Sequence, residues 1–179
     1  MPIKVADHAG FCMGVKRAVE AVEKVADSGV PSCTLGELIH NPQVVEELRQ
    51  KGLPPIESIG EAAGRQVLIR SHGVAPEVIE GLRGAGCEVL DLTCPFVEKL
   101  HRIVAEGSAP DCPVILVGER EHPEVRGTAG WARGPVYVVA TPEEAANLPE
   151  MERAVVAAQT TYPPDRWETV IEEIGRAHV

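Results

Sequence analysis

Short runs rich in Val, Ile and Leu alternate with segments of helical periodicity along nearly all of this 179-residue chain, and that alternation narrows the fold more than any other feature. Strand-like runs fall at 3–7, 32–35, 66–70, 88–92, 114–117, 136–139 and 154–158. Helical patterns fill 14–28, the stretch from Pro42 to a stop at Gly52, 76–83, 95–106, 124–131, 142–148 and the chain from 165 onward. In the first helix Val15, Val19, Val22 and Val25 recur at the spacing of one helix face. Asn41 and Thr141 stand as N-caps directly before prolines, which are pre-shaped for a first helical turn. Strand and helix in turn, joined by short links, predict mainly parallel sheets covered by helices, an α/β class. A Gly/Ala/Pro stretch at 107–113 is a plausible passage between units of similar design, with no exact repeat of sequence.

Composition supports a packed core of aliphatic side chains. Hydrophobic residues make up 44% and aromatics only 3%, so Val, Ile, Leu and Ala must fill the interior. A net charge of −10 argues against a nucleic-acid surface, which needs a basic stripe. It says little about a small anionic substrate, which feels the local site. No apolar run approaches the length of a membrane span. The opening M-P-I-K-V-A-D reads as a strand rather than an export segment, so the expected location is cytoplasmic. The cysteines are Cys12, Cys33, Cys87, Cys94 and Cys112, an odd count that speaks against a disulfide framework.

Reactive residues collect where binding residues of open parallel sheets collect, just past the carboxyl ends of strands. Cys12, His40, His72, Cys94, His122 and Thr160 each follow a predicted strand. Cys12 and Cys94 both sit at strand-to-helix junctions, where free N–H groups and the helix dipole favour a thiolate. Gly10 and Gly14 leave room around Cys12 for a bulky group. The setting alone leaves open that both are ordinary buried thiols; Cys33, Cys87 and Cys112, in or before strands, read as such. The histidines invite a zinc reading, but their spacing matches no compact zinc motif. Their loop-to-helix contexts also suit an anion such as a phosphate. Glu124 is an acid/base candidate with Thr160 as a relay, or else complements a helix N-terminus. His101 reads as structural, and His8 has no assigned place.

The strings G-F-C-M-G-V, I-H-N-P-Q-V-V, S-H-G-V, D-L-T-C-P-F-V-E-K-L-H, E-H-P-E-V-R-G-T and Q-T-T occur in this order between about residues 3 and 161. As an ordered set they resemble the hydroxymethylbutenyl diphosphate reductase family, also called IspH or LytB. The resemblance implies three α/β domains arranged as a trefoil around a [4Fe–4S] cluster held by one cysteine from each. Cys12 and Cys94 resemble the first two ligands. His40, His72 and His122 resemble the histidines that bind the substrate diphosphate, Glu124 the proton donor and Thr160 the hydroxyl that helps pass the proton. The implied reaction is reductive dehydroxylation of an allylic diphosphate to isopentenyl and dimethylallyl diphosphate, with electrons from ferredoxin or flavodoxin.

On that reading, residues 1–94 form a first domain, with 1–12 free to pair with a third domain, and 95–172 form a second. No cysteine follows Cys112, so the family's third ligand is missing, together with later Ser and Asn residues of the diphosphate pocket. Residues 174–179, I-G-R-A-H-V, match the translation of a common sequencing adapter, which makes 173–179 a non-native tail and removes His178 from any site. The expectation is a truncated chain that neither holds a stable cluster nor turns over, and whose uncovered inner faces promote aggregation. The competing readings are a stand-alone Cys/His metal-binding or electron-transfer module and a non-catalytic α/β domain.

Overall fold

The computed structural model describes residues 3–4, 9–39, 41–62 and 64–177. The first expected strand, at 3–7, lies largely outside them, as do His8, His40 and His178.

Helix α1 (Met13–Ser28) is stopped by Gly29 in the left-handed conformation, φ 72°. Strand β1 (Ser32–Leu35) follows, then α2 (Pro42–Gln50), whose first amides, at Gln43 and Val44, donate to the Asn41 side chain. Next come β2 (Pro55–Ile56), a 3-10 turn at Ile59–Glu61, β3 (Gln66–Ile69), α3 (Pro76–Gly84) and β4 (Glu88–Asp91). The strands form one parallel sheet in the order β2-β1-β3-β4. Central β3 is buried on both faces. Leu68 points into a cluster with Ala18, Val22, Leu48 and Leu92, while Val67 and Ile69 point to Cys33, Ile56 and Leu82. Each Val, Leu or Ile among them contributes about 1.5–3 kcal/mol by leaving water.

Helix α4 (Pro95–Gly107) leads to a second parallel sheet, β6-β5-β7, built from β5 (Val114–Val117), β6 (Val136–Val139) and β7 (Val155–Ala158). Helices α5 (Pro123–Ala129), α6 (Pro142–Ala145) and α7 (Pro164–Ala177) accompany it. Here β5 is central. Val114 and Leu116 face Leu100 and Val104 of α4, and Ile115 and Val117 face Ala145 and Val170. The sheet units meet where Trp131 Nε1 donates to Val74 O at 3.0 Å and its ring stacks on His101 at 5.0 Å.

The α/β class and the parallel sheets agree with the sequence reading. The differences are local. The predicted helices at 124–131 and 142–148 are Pro123–Ala129 and Pro142–Ala145. Strand β2 carried too few residues for a period-2 signal, and its proline fits because the strand lies at the sheet edge. The 3-10 turn was announced only by the reciprocal capping of Ser58 and Glu61.

Candidate active site

The cysteines at the two helix starts are brought towards each other by a glycine. Cys12 is the N-cap of α1 and Cys94 the N-cap of α4, and neither side chain makes a capping bond. Gly14 lies so near that a Cβ there would stand 2.6 Å from Cys94 Sγ. Thus the first turn of α1 packs directly on the second cysteine. An arginine fastens the contact: Arg17 Nη2 donates to Thr93 O at 2.5 Å. Thr93 is itself braced, its amide and hydroxyl both donating to Asp91 Oδ1 at 2.9 and 2.5 Å. The Cys94 amide donates to Ser71 O at 2.9 Å, which ties this junction to the segment carrying His72.

Gly73 follows at φ 69°, a region that favours glycine, and has no space for a side chain: a Cβ would approach Thr93 Cγ2 at 3.0 Å and crowd His101 more closely still. The turn presents His72 edge-on to His122, with ring centroids 5.3 Å apart and planes at 87°. His122 is the N-cap of α5, and its Nδ1 accepts from the Glu124 amide at 3.2 Å.

Glu124 is buried, 2% exposed, and bound at both carboxyl oxygens. Thr160 N donates to Oε1 at 2.5 Å and Thr160 Oγ1 donates to Oε2 at 2.7 Å. The carboxyl belongs to α5 and the threonine follows β7, so a bond across 36 positions joins helix start to strand end. Neighbouring Gln159 strengthens this edge, accepting from Glu119 N at 3.2 Å and donating to Thr161 Oγ1 at 2.8 Å.

His72, His122, Glu124 and Thr160 are therefore linked by contacts on one side, and Cys12, Gly14 and Cys94 on the other, with Ser71 joining them. His40 lies outside the described residues, although Asn41 beside it caps α2 as read from sequence. Among the described residues no group of three or more His, Cys, Asp or Glu side chains is close enough to hold a metal ion. Two helix-start thiols beside a glycine too tightly placed for any Cβ do suit a thiolate-held inorganic cluster, which needs close backbone approach and accessible sulfur. Sequence reasoning missed Arg17, Asp91 and the Trp131–His101 stack. The D-L-T turn was a usable signal for Asp91, since a short carboxylate before a threonine commonly closes on the backbone two residues on; a bond across 76 positions left no local trace for Arg17.

A family model described as LytB protein matches residues 3–178. The chain belongs to the LytB family. Its similarity extends to 4-hydroxy-3-methylbut-2-enyl diphosphate reductase of Caldanaerobacter subterraneus subsp. tengcongensis, 43% identical over 179 residues, covering 96% of this chain and 62% of that protein. The reductase of Geobacter sp. strain M21 is 44% identical over 172 residues, with 96% of this chain and 61% of the relative covered. Among solved structures, the E-1-hydroxy-2-methyl-but-2-enyl-4-diphosphate reductase of Plasmodium falciparum superposes with a TM-score of 0.89 at 26% identity, over 95% of this chain and 55% of that one. A second, described as the terminal enzyme of the non-mevalonate pathway, gives 0.81 at 43% identity, over 98% of this chain and 64% of that one. This LytB chain thus spans about three fifths of the length of the relatives it matches.

Proposed function

We infer that this chain carries the cluster-binding and proton-donating parts of a 4-hydroxy-3-methylbut-2-enyl diphosphate reductase. The reaction takes the allylic alcohol diphosphate, two electrons and two protons to isopentenyl or dimethylallyl diphosphate and water. The observation that carries the reading is the buried Glu124 carboxyl gripping Thr160 through both oxygens, beside the His72–His122 pair. A stand-alone electron-transfer module has no use for a buried carboxyl on a hydroxyl, so that alternative loses ground.

Cys12 and Cys94 are two thiolates that would hold a [4Fe–4S] cluster; when bound, such a cluster supplies Lewis acidity towards the substrate hydroxyl and delivers electrons singly. The chain's own residues do the remaining work. His72 and His122 orient the diphosphate as hydrogen-bond donors near the N-terminus of α5. Glu124 holds the proton that the departing hydroxyl needs, and Thr160 Oγ1, 2.7 Å from its carboxyl, passes it towards the substrate. Glu124 is buried and shielded from bulk water, while Thr160 is exposed and so can reach a substrate from the same hydrogen bond. A one-electron donor, ferredoxin or flavodoxin, fits that chemistry, and the reading places the protein in the cytoplasm.

Calorimetric titration with (E)-4-hydroxy-3-methylbut-2-enyl diphosphate tests the substrate assignment. Saturable binding is expected, weakened roughly tenfold or more by His72→Asn or by His122→Asn, since each removes a hydrogen bond to a charged group. A titration that never saturates, or one indifferent to both substitutions, overturns the reading.

A further inference from the structure

A cleft of about 530 Å³ lies between the sheet units, bounded by Gly36, Glu57 and Arg70 from the first and by Glu121 and Arg126 from the second. None of these residues has a part in the reductase reading above. Arg70 is the feature without an explanation. Its guanidinium lies against Gly36, at φ 69°, where a Cβ would stand 2.6 Å from Nη1. Its Nε is buried and has no hydrogen-bond partner. Among the described residues no carboxylate comes within 4.0 Å of this guanidinium, whereas the ion pairs that do form involve other cations. Burial lowers its pKa first of all; Glu57 and Glu37 oppose that and Arg126 adds to it.

The buried Arg70 Nε is an expensive arrangement, because that donor has left water without a replacement. Arg126 enters the same cleft from α5, held only at 4.0 Å by a Glu121 that is 86% exposed. Paired guanidiniums with planar donor forks match phosphate oxygens in bidentate fashion. The carboxylates at the cleft, Glu57 and Glu121, do not suit a polyanion, but they accept hydrogen bonds from hydroxyls. The volume is within the range of small-molecule sites and far exceeds that of a phosphate alone.

We propose that this cleft binds a small polyol phosphate, with Arg70 and Arg126 on the phosphate and Glu57 and Glu121 on the hydroxyls. Arg70 is two positions before His72 and Arg126 two after Glu124, so a ligand here touches both segments that build the candidate active site.

The test is calorimetric titration with ribose 5-phosphate, inorganic phosphate and ribose, which needs neither a cluster nor turnover and so stands or falls apart from the reductase reading. Ribose 5-phosphate is expected to bind saturably and at least about tenfold more tightly than inorganic phosphate, and ribose not to bind. Arg126→Gln should weaken that binding roughly tenfold. Arg126 is 72% exposed, so this variant reports from a folded protein even if Arg70→Gln, expected to abolish binding, disturbs packing. Absence of saturable ribose 5-phosphate binding overturns the proposal, as does binding undiminished in Arg126→Gln. Equal affinity for inorganic phosphate overturns the polyol assignment.

Discussion

At the scale of single residues, the chemistry depends on glycines as much as on the groups that react. Gly14 was legible as room beside Cys12; that this room faces Cys94 was not, because 80 positions of sequence separate them. A methyl group there meets Cys94 Sγ and Cβ, the latter at 3.3 Å, and Cys94 has only one side-chain torsion with which to escape. Gly14→Ala is therefore expected to destabilise the chain by about 1–3 kcal/mol through overpacking, offset by up to about 1 kcal/mol of helix propensity. Urea unfolding and the alkylation rate of Cys94 would register it. A variant as stable as wild type, with Cys94 reacting at its old rate, would mean that α1 is not seated there. Glu124 shows the opposite balance: its candidacy was readable from the string E-H-P-E-V-R-G-T, whereas its burial and its bond to Thr160 belong to the fold.

Among elements, the strands and helices were readable because their signals are local. Asn41 and Thr141 cap the helices expected of them, β5 is a continuous apolar run buried on both faces, and β3 is one after its leading Gln66. What stayed hidden was contact between elements. Helix α4 carries Cys94 at its start and, two turns on, His101, which is 4% exposed and stacked on Trp131. Burial lowers the His101 pKa from 6.5 to about 4, against a smaller opposing pull from Asp91. Between those values the unfolded chain binds the proton that the folded chain refuses. Stability should thus fall as pH drops below about 6.5 and level off near pH 4, a loss of about 3 kcal/mol from this group. Urea midpoints between pH 7.5 and 4.5 for wild type and His101→Gln would isolate it. The two profiles should converge on acidification; parallel profiles would show that His101 does not carry the effect.

For the whole molecule, the join between the sheet units sets the distance between chemistry held by the first and chemistry held by the second. Trp131 spans it, with its indole N–H on Val74 O, one residue past the Gly73 turn that follows His72. Trp131→Phe keeps a ring to stack on His101 and removes the donor, leaving Val74 O unanswered. A loss of about 1–3 kcal/mol is expected by urea unfolding; no change would mean that water replaces the indole without penalty. Sequence could suggest a passage near 107–113 but gave no hint that a tryptophan would close the gap, since aromatic pairing across units leaves no periodic trace.

The account rests on Cys12 and Cys94 acting together as metal-binding thiolates. The most direct measurement is anaerobic alkylation of the native chain, with and without added ferrous iron and sulfide, mapped cysteine by cysteine by mass spectrometry. Cys12, exposed, and Cys94 and Cys112, both partly exposed, are the thiols open to reagent. The account predicts that iron and sulfide slow the labelling of Cys12 and Cys94 together, short of the full protection of a stable cluster, and leave Cys112 reacting as before. Labelling of Cys12 and Cys94 at unchanged rates, or equal protection of Cys112, would contradict it.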